Sequence, residues 1–134
     1  MRIVLDTNVF LAAFATHGIC EGLLTVCLRD HEMALSEHII GELAEHYVSK
    51  FRATTEQAKA VVAVLRRHSE VVVPVQVPFD AFEDADDLPV LGTAIAGSAD
   101  CLVTGDKQLL KLGVFRGIPI VSPRDLYDRI LEAE

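Results

Sequence analysis

Cysteine is scarce in this chain, basic residues are outnumbered, and no apolar run approaches the length of a membrane span. Cys20, Cys27 and Cys101 are odd in number and lack metal-ligand spacing. That argues against a disulfide framework or a zinc site and for reduced core thiols in a cytoplasmic protein. Without a long apolar stretch no membrane segment is expected, and Met1 leads straight into a strand-like segment, leaving no room for a signal peptide. Twelve Lys and Arg against twenty Asp and Glu give a formal net charge of −8. Broad, sequence-independent nucleic-acid binding relies on cations meeting phosphates and is disfavoured by that balance. A phosphodiester held by metal ions in a local cleft is not excluded, and the acidity suits a basic protein partner. No internal repeat, low-complexity tract or linker divides the chain. With 134 residues, 51% of them apolar, it is read as one domain, 1–134, with a packed core.

What is present is an alternation of short β-rich segments with amphipathic stretches. Strands are predicted at Arg2 to Asp6, Met33 to Leu35, Cys101 to Thr104 and Ile118 to Val121. Val71 to Val77 is β-rich, but Pro74 and Pro78 demote it to an edge strand or an extended connector. Between these lie helices at Asn8 to Ala15, at Ile19 to Arg29, and from a Ser36 cap to about Val48. Another follows a capping box formed by Thr54 and Gln57, and a further one runs from about Asp87 to Gly97. Asp106 caps a short helix through Leu112, and Pro123 opens the last one. Strands alternating with helices imply parallel pairing through right-handed crossovers, so all strand C-termini share one edge of the sheet.

That edge receives Asp6 and Asp106, each closing a short apolar strand. Ligands of open α/β sheets bind in this place. Two carboxylates about 4 Å apart repel by roughly 4 kcal/mol at an effective dielectric of about 20, a cost that a divalent cation removes. Asp87, opening its helix, meets the same edge. Glu42 lies two turns into its helix but can reach back, because helical side chains lean toward the N-terminus. Four carboxylates from four segments thus converge. Much of the remaining acidity is concentrated nearby in Asp80, Glu83, Asp84 and Asp86.

These residues resemble the PIN-domain nucleases, in particular the VapC-like toxins of toxin–antitoxin pairs. Val4-Leu5-Asp6-Thr7-Asn8 is similar to the family's opening strand, and Ser36 to Leu43 to its Glu-bearing helix. Asp87-Leu88-Pro89-Val90-Leu91-Gly92-Thr93-Ala94 is similar to its Asp ahead of a small-residue helix. Leu102-Val103-Thr104-Gly105-Asp106 is similar to its closing motif. The resemblance implies a three-layer α/β fold with a central, mostly parallel sheet of about four to five strands flanked by helices. It implies a Mg²⁺- or Mn²⁺-dependent endoribonuclease that leaves 5′-phosphate and 3′-hydroxyl ends, forms a homodimer and is inhibited by a cognate antitoxin. Asp6, Glu42, Asp87 and Asp106 would be both metal ligands and catalytic residues, with Asp84 or Asp86 as replacements for Asp87.

Competing readings exist for each position. Asp6, Asp87 and Asp106 are also good helix caps, and Glu42 could be a solvated helix residue. Asn8 is a candidate for orienting Asp6, and Thr104 for bonding a carboxylate or a phosphate. His38 and His46 flank Glu42 at four-residue intervals, but about 12 Å of helix separates them, so one ion cannot hold both; both are read as solvated or capping. Arg66, Arg67 and His68 read as a polar helix end. Two other functions remain open. A haloacid-dehalogenase-like phosphatase would use Asp6 as nucleophile, although Asn8 stands where that family places a second Asp. A catalytically idle PIN-like binding module would have no need of all four acids.

Overall fold

The computed structural model describes residues 1–133. Four short apolar segments become the strands β1 (Arg2–Leu5), β2 (Glu32–Leu35), β4 (Cys101–Val103) and β6 (Ile118–Val121), with β3 (Ser69–Val71) and β5 (Val114–Phe115) at the edges. The sheet order is β3-β2-β1-β4-β6-β5, and every pairing is parallel except the β5–β6 hairpin. That hairpin turns through Arg116 and Gly117, both at positive φ (48° and 82°), which matches the twist of the strands it joins. The chain winds outward from β1 through β2 to β3, then returns to place β4 on the other side of β1. The order therefore reverses between β1 and β4, and a crevice opens there at their C-terminal ends.

Helices α1 (Thr7–Ala15), α2 (Ile19–Asp30), α3 (Glu37–Phe51), α4 (Thr55–Arg67), α5 (Leu88–Ala96), α6 (Lys107–Leu112) and α7 (Pro123–Ala133) complete a three-layer α/β fold. Local signals start them as expected. Ser36 Oγ accepts from Ile39 N, and Thr54 and Gln57 form a reciprocal capping box at 3.0 and 2.8 Å. Ile39, Ile40 and Leu43 of α3 and Ala58 and Leu65 of α4 are buried, while Tyr47 packs on Phe14 with ring centroids 5.3 Å apart. Among the described residues, no single helix is long and apolar enough to cross a membrane.

The stretch Val71 to Val77 resolves into both of its readings. Only Val71 belongs to β3, which starts earlier at Ser69, and the rest is an extended connector. Val75 N–H donates to the Gly92 carbonyl at 3.0 Å, strapping this connector onto α5. The approach is so close that a Cβ on Gly92 would lie 2.2 Å from the Val75 carbonyl oxygen. On its other side α5 rests on the sheet, where a Cβ on Gly97 would come within 2.7 Å of Ala34 Cβ. The small residues of α5 are thus required by its position between connector and sheet, and that position sets where Asp87, just before the helix, stands. Cys27 and Cys101 are core residues whose thiols burial pushes up to about 12 and about 11. Cys20, also expected in the core, is only half-buried: it begins the second residue of α2, where the chain is still at the surface.

Candidate active site

Asp6 stands at the β1–β4 switch point, its backbone N–H still bonded to the Val103 carbonyl at 2.9 Å. Its side chain is 4% exposed and takes three hydrogen bonds. Oδ1 accepts from Thr7 N at 2.7 Å, and Oδ2 accepts from Thr104 Oγ1 at 2.9 Å and Asn8 Nδ2 at 3.2 Å. Burial pushes its carboxyl above the usual range, the Thr104 and Thr7 donors pull it back, and Glu42 and Asp106 add repulsion. Helix capping by Asp6 is real, but it engages one oxygen only.

Thr104 is fully buried and its hydroxyl is oriented by its neighbours. It accepts from Asp106 N at 3.0 Å, so its own hydrogen is free for Asp6. Asn8 joins the same two turns, donating to Asp6 and accepting from Gly105 N at 2.9 Å. The β1–α1 and β4–α6 turns are therefore locked together by side chains, which fixes Asp6 relative to Asp106. Asp106 Oδ1 caps α6 by accepting from Gln108 N at 2.8 Å, and no protein donor among the described residues reaches Oδ2. Thr104→Val, which keeps shape but removes the three bonds of the hydroxyl (to Asp6, from Asp106 N and, at 3.4 Å, from Asn8 Nδ2), is expected to cost about 1–3 kcal/mol of stability, read as a lowered urea midpoint at unchanged slope.

Glu42 approaches from α3. Its Oε1 accepts from Thr7 Oγ1 at 3.1 Å and lies 3.2 Å from His38 Nε2. The imidazole makes no hydrogen bond in this position and forms an ion pair with Glu42 only when doubly protonated. His38 is partly exposed, as a solvated reading expects, but its buried Nε2 stands against Glu42. The i,i+4 spacing to Glu42 carried that signal, because such residues are neighbours on a helix face. Nothing in the sequence pointed to the contact between Thr7 and Glu42.

Asp87 precedes α5 without capping it, and its Oδ2 is buried with no hydrogen-bond partner. Its carboxyl is pushed up to about 7, first by burial and then by repulsion from Asp6, Asp106, Asp84 and Glu42. Asp84 instead closes a local turn by accepting from Asp86 N at 3.0 Å, and both Asp84 and Asp86 are exposed. Of the three neighbouring aspartates, Asp87 is the one directed into the cluster. A folded-state pKa raised from 3.8 to about 7 means that the folded protein holds a proton which the unfolded chain releases. Stability of the metal-free protein should then fall as pH rises from about 4 through about 7. After discounting for solvent screening, Asp87→Asn should remove about 1–2 kcal/mol of that fall, measured by urea denaturation at pH 5 and pH 8.

The four predicted acids thus share one electrostatic neighbourhood, and none is paired with Arg or Lys among the described residues. They are not drawn into a closed shell. Among the described residues, no three His, Cys, Asp or Glu side chains stand close enough to hold an ion as they are. The donors available are all carboxylate oxygens, one of them buried and unpartnered, which fits a hard divalent cation better than zinc.

A family model described as PIN domain matches residues 2–108, a span that includes all four acids. The chain belongs to the PIN-domain family. No curated protein matches the chain in sequence. Solved PIN-like folds match it closely in shape. VapBC-1 from nontypeable Haemophilus influenzae superposes with a TM-score of 0.65 at 17% identity, covering 92% of this chain and 99% of that one. VapBC2 from Rickettsia felis, bound to a DNA fragment from its promoter, gives 0.62 at 18%, covering 91% and 98%. DNA-bound VapBC from Salmonella typhimurium gives 0.61 at 18%, covering 92% and 98%. At these identities the likeness is one of fold, and this PIN domain's chemistry rests on its own residues.

Proposed function

We propose that this PIN domain is a metal-dependent endoribonuclease and the toxin of a toxin–antitoxin pair. The observation that carries the reading is the unneutralised acidic cluster at the sheet switch point, with the buried, unpartnered Asp87 oxygen at its centre. Asp6, Glu42, Asp87 and Asp106 would hold one or two Mg²⁺ or Mn²⁺ ions. When bound, such an ion supplies charge neutralisation for the scissile phosphate and a lowered pKa for water.

The protein's own part is positioning and proton handling. Thr104, Thr7 and Asn8 hold Asp6 in one orientation by donating to both of its oxygens. Asp106 keeps Oδ2 free by giving only Oδ1 to α6. A carboxylate of the set takes the proton of the attacking water, and in-line displacement leaves 5′-phosphate and 3′-hydroxyl ends. No covalent enzyme intermediate is required. Asp6, with both oxygens bonded and almost no exposure, is poorly placed as the nucleophile of a phosphatase. The acidic surface suits a basic antitoxin, and the protein would act as a homodimer.

The direct test incubates the purified protein with tRNA, rRNA and single-stranded oligonucleotides in Mn²⁺ or in EDTA, followed by end-group analysis. Cleavage with 5′-phosphate ends in Mn²⁺ alone is expected. Equal activity in EDTA, or no cleavage of any RNA, would reject the reading.

A further inference from the structure

Two clefts flank the acidic cluster, and among the described residues unpaired cations stand in the chain beside only the second, where the neighbouring Glu21 is already paired with His17 at 2.7 Å. One, of about 450 Å³, lies between His38, Val75, Val77, Phe79, Leu88 and Pro89. The chain beside it carries Asp80, Glu83, Asp84 and Asp86, all exposed. A polyanion entering there would meet four like charges. The other cleft, of about 370 Å³, is lined by Asn8, Val9, Ala12, Cys20, Asp106 and Pro123. Asn8 and Asp106 belong to both this cleft and the cluster, so the two are continuous. Lys107 directly follows Asp106 and Arg124 directly follows Pro123. Both are exposed, and neither joins an ion pair among the described residues.

We infer that this second cleft is a nucleobase subsite for single-stranded RNA, with Lys107 and Arg124 receiving the flanking phosphates. The inference rests on the ribonuclease reading and adds the side from which the strand enters. Apolar walls next to a charged site offer a base a place to leave water, and cations in the chain next to Asp106 and Pro123 would supply the sequence-independent attraction to phosphates. Selection there is by shape. The Asn8 amide is already committed to Asp6 and Gly105, so it has little left for reading a base edge. Ala12 keeps the cleft open.

Cys20 is a built-in reporter, since Cys27 and Cys101 are buried and it alone is partly accessible. Wild-type protein would be treated with N-ethylmaleimide at saturating single-stranded RNA, with Ca²⁺ in place of Mn²⁺ to slow cutting. About tenfold slower labelling of Cys20 is expected. Ala12→Leu, which fills the cleft with a good helix former, should raise KM for RNA about tenfold and leave Mn²⁺ affinity within about twofold of wild type. Lys107→Ala and Arg124→Ala should each lower the slope of log affinity against log salt by about one. RNA cleaved in Mn²⁺ while Cys20 stays fully reactive, or an Ala12→Leu enzyme with unchanged KM, overturns the subsite and leaves the ribonuclease reading standing. RNA neither bound nor cleaved overturns both.

Discussion

Asp6→Asn is expected to lower Mn²⁺-dependent RNA cleavage by at least about a hundredfold, some 3 kcal/mol of transition-state stabilisation. The fold should survive it. An asparagine still offers Oδ1 to Thr7 N, while its amide nitrogen faces Asn8 Nδ2 and Thr104 Oγ1, where the carboxylate formerly accepted. Losing those bonds costs roughly 1–2 kcal/mol. Against that, the variant no longer buries a charge repelled by Glu42 and Asp106. The two effects oppose each other, so a thermal midpoint within a few degrees of wild type is expected. Initial rates on a labelled oligonucleotide, together with a melting curve, separate catalytic loss from unfolding. An Asp6→Asn protein that cleaves at the wild-type rate would remove Asp6 from the site.

Gly92→Ala should destabilise the protein by about 3 kcal/mol, or roughly 10–15 °C in Tm for a domain of this size. The new Cβ would stand 2.2 Å from the Val75 carbonyl oxygen and 3.2 Å from Pro74 Cβ. Relief by a side-chain rotation is impossible, because the obstructing atom is backbone. Relief by moving the connector breaks the Val75 N–H to Gly92 carbonyl bond. Shifting α5 the other way drives Gly97 into Ala34. Asp87 lies just before α5, so the same displacement should also reduce cleavage. Gly41→Ala provides the contrast: nothing lies within 4 Å of its new Cβ, and in mid-helix it should stabilise by about 0.5–1 kcal/mol. Equal denaturation midpoints for the two variants would show that α5 is not clamped as described.

Much of the architecture was legible because the signals were local. Strand-end aspartates mark the edge of a parallel sheet, Ser36 and Thr54 announce the helices they cap, and alternation of elements dictates parallel pairing. Asp6 and Asp106 were found by that route. Asp87 is favoured over Asp84 and Asp86 by its distance to the small-residue helix and to Thr104-Gly105-Asp106, and its burial, which depends on how α5 is pressed between connector and sheet, separates it from the two exposed aspartates. The two-residue strand β5 is too short to carry a period and exists because Arg116 and Gly117 fold it back on β6. The start of β3 at Ser69 is set by pairing with Met33 rather than by its own residues. Contacts across the fold were beyond reach. The Ser36–Thr93 hydroxyl bond of 2.8 Å, which joins the α3 N-terminus to α5, and the Thr7–Glu42 bond both depend on tertiary placement. The span between His38 and His46 bears only on chelation of one ion; the contact of His38 with Glu42 comes instead from their i,i+4 spacing on α3.

Mn²⁺ titration followed by electron paramagnetic resonance bears most directly on whether the four acids form one cation site. The wild-type protein should bind one or two ions, and Asp6→Asn, Glu42→Gln, Asp87→Asn and Asp106→Asn should each weaken the tightest site by about tenfold or more. Equal affinity in the wild type and all four variants would mean that the carboxylates at the β1–β4 crevice hold no metal.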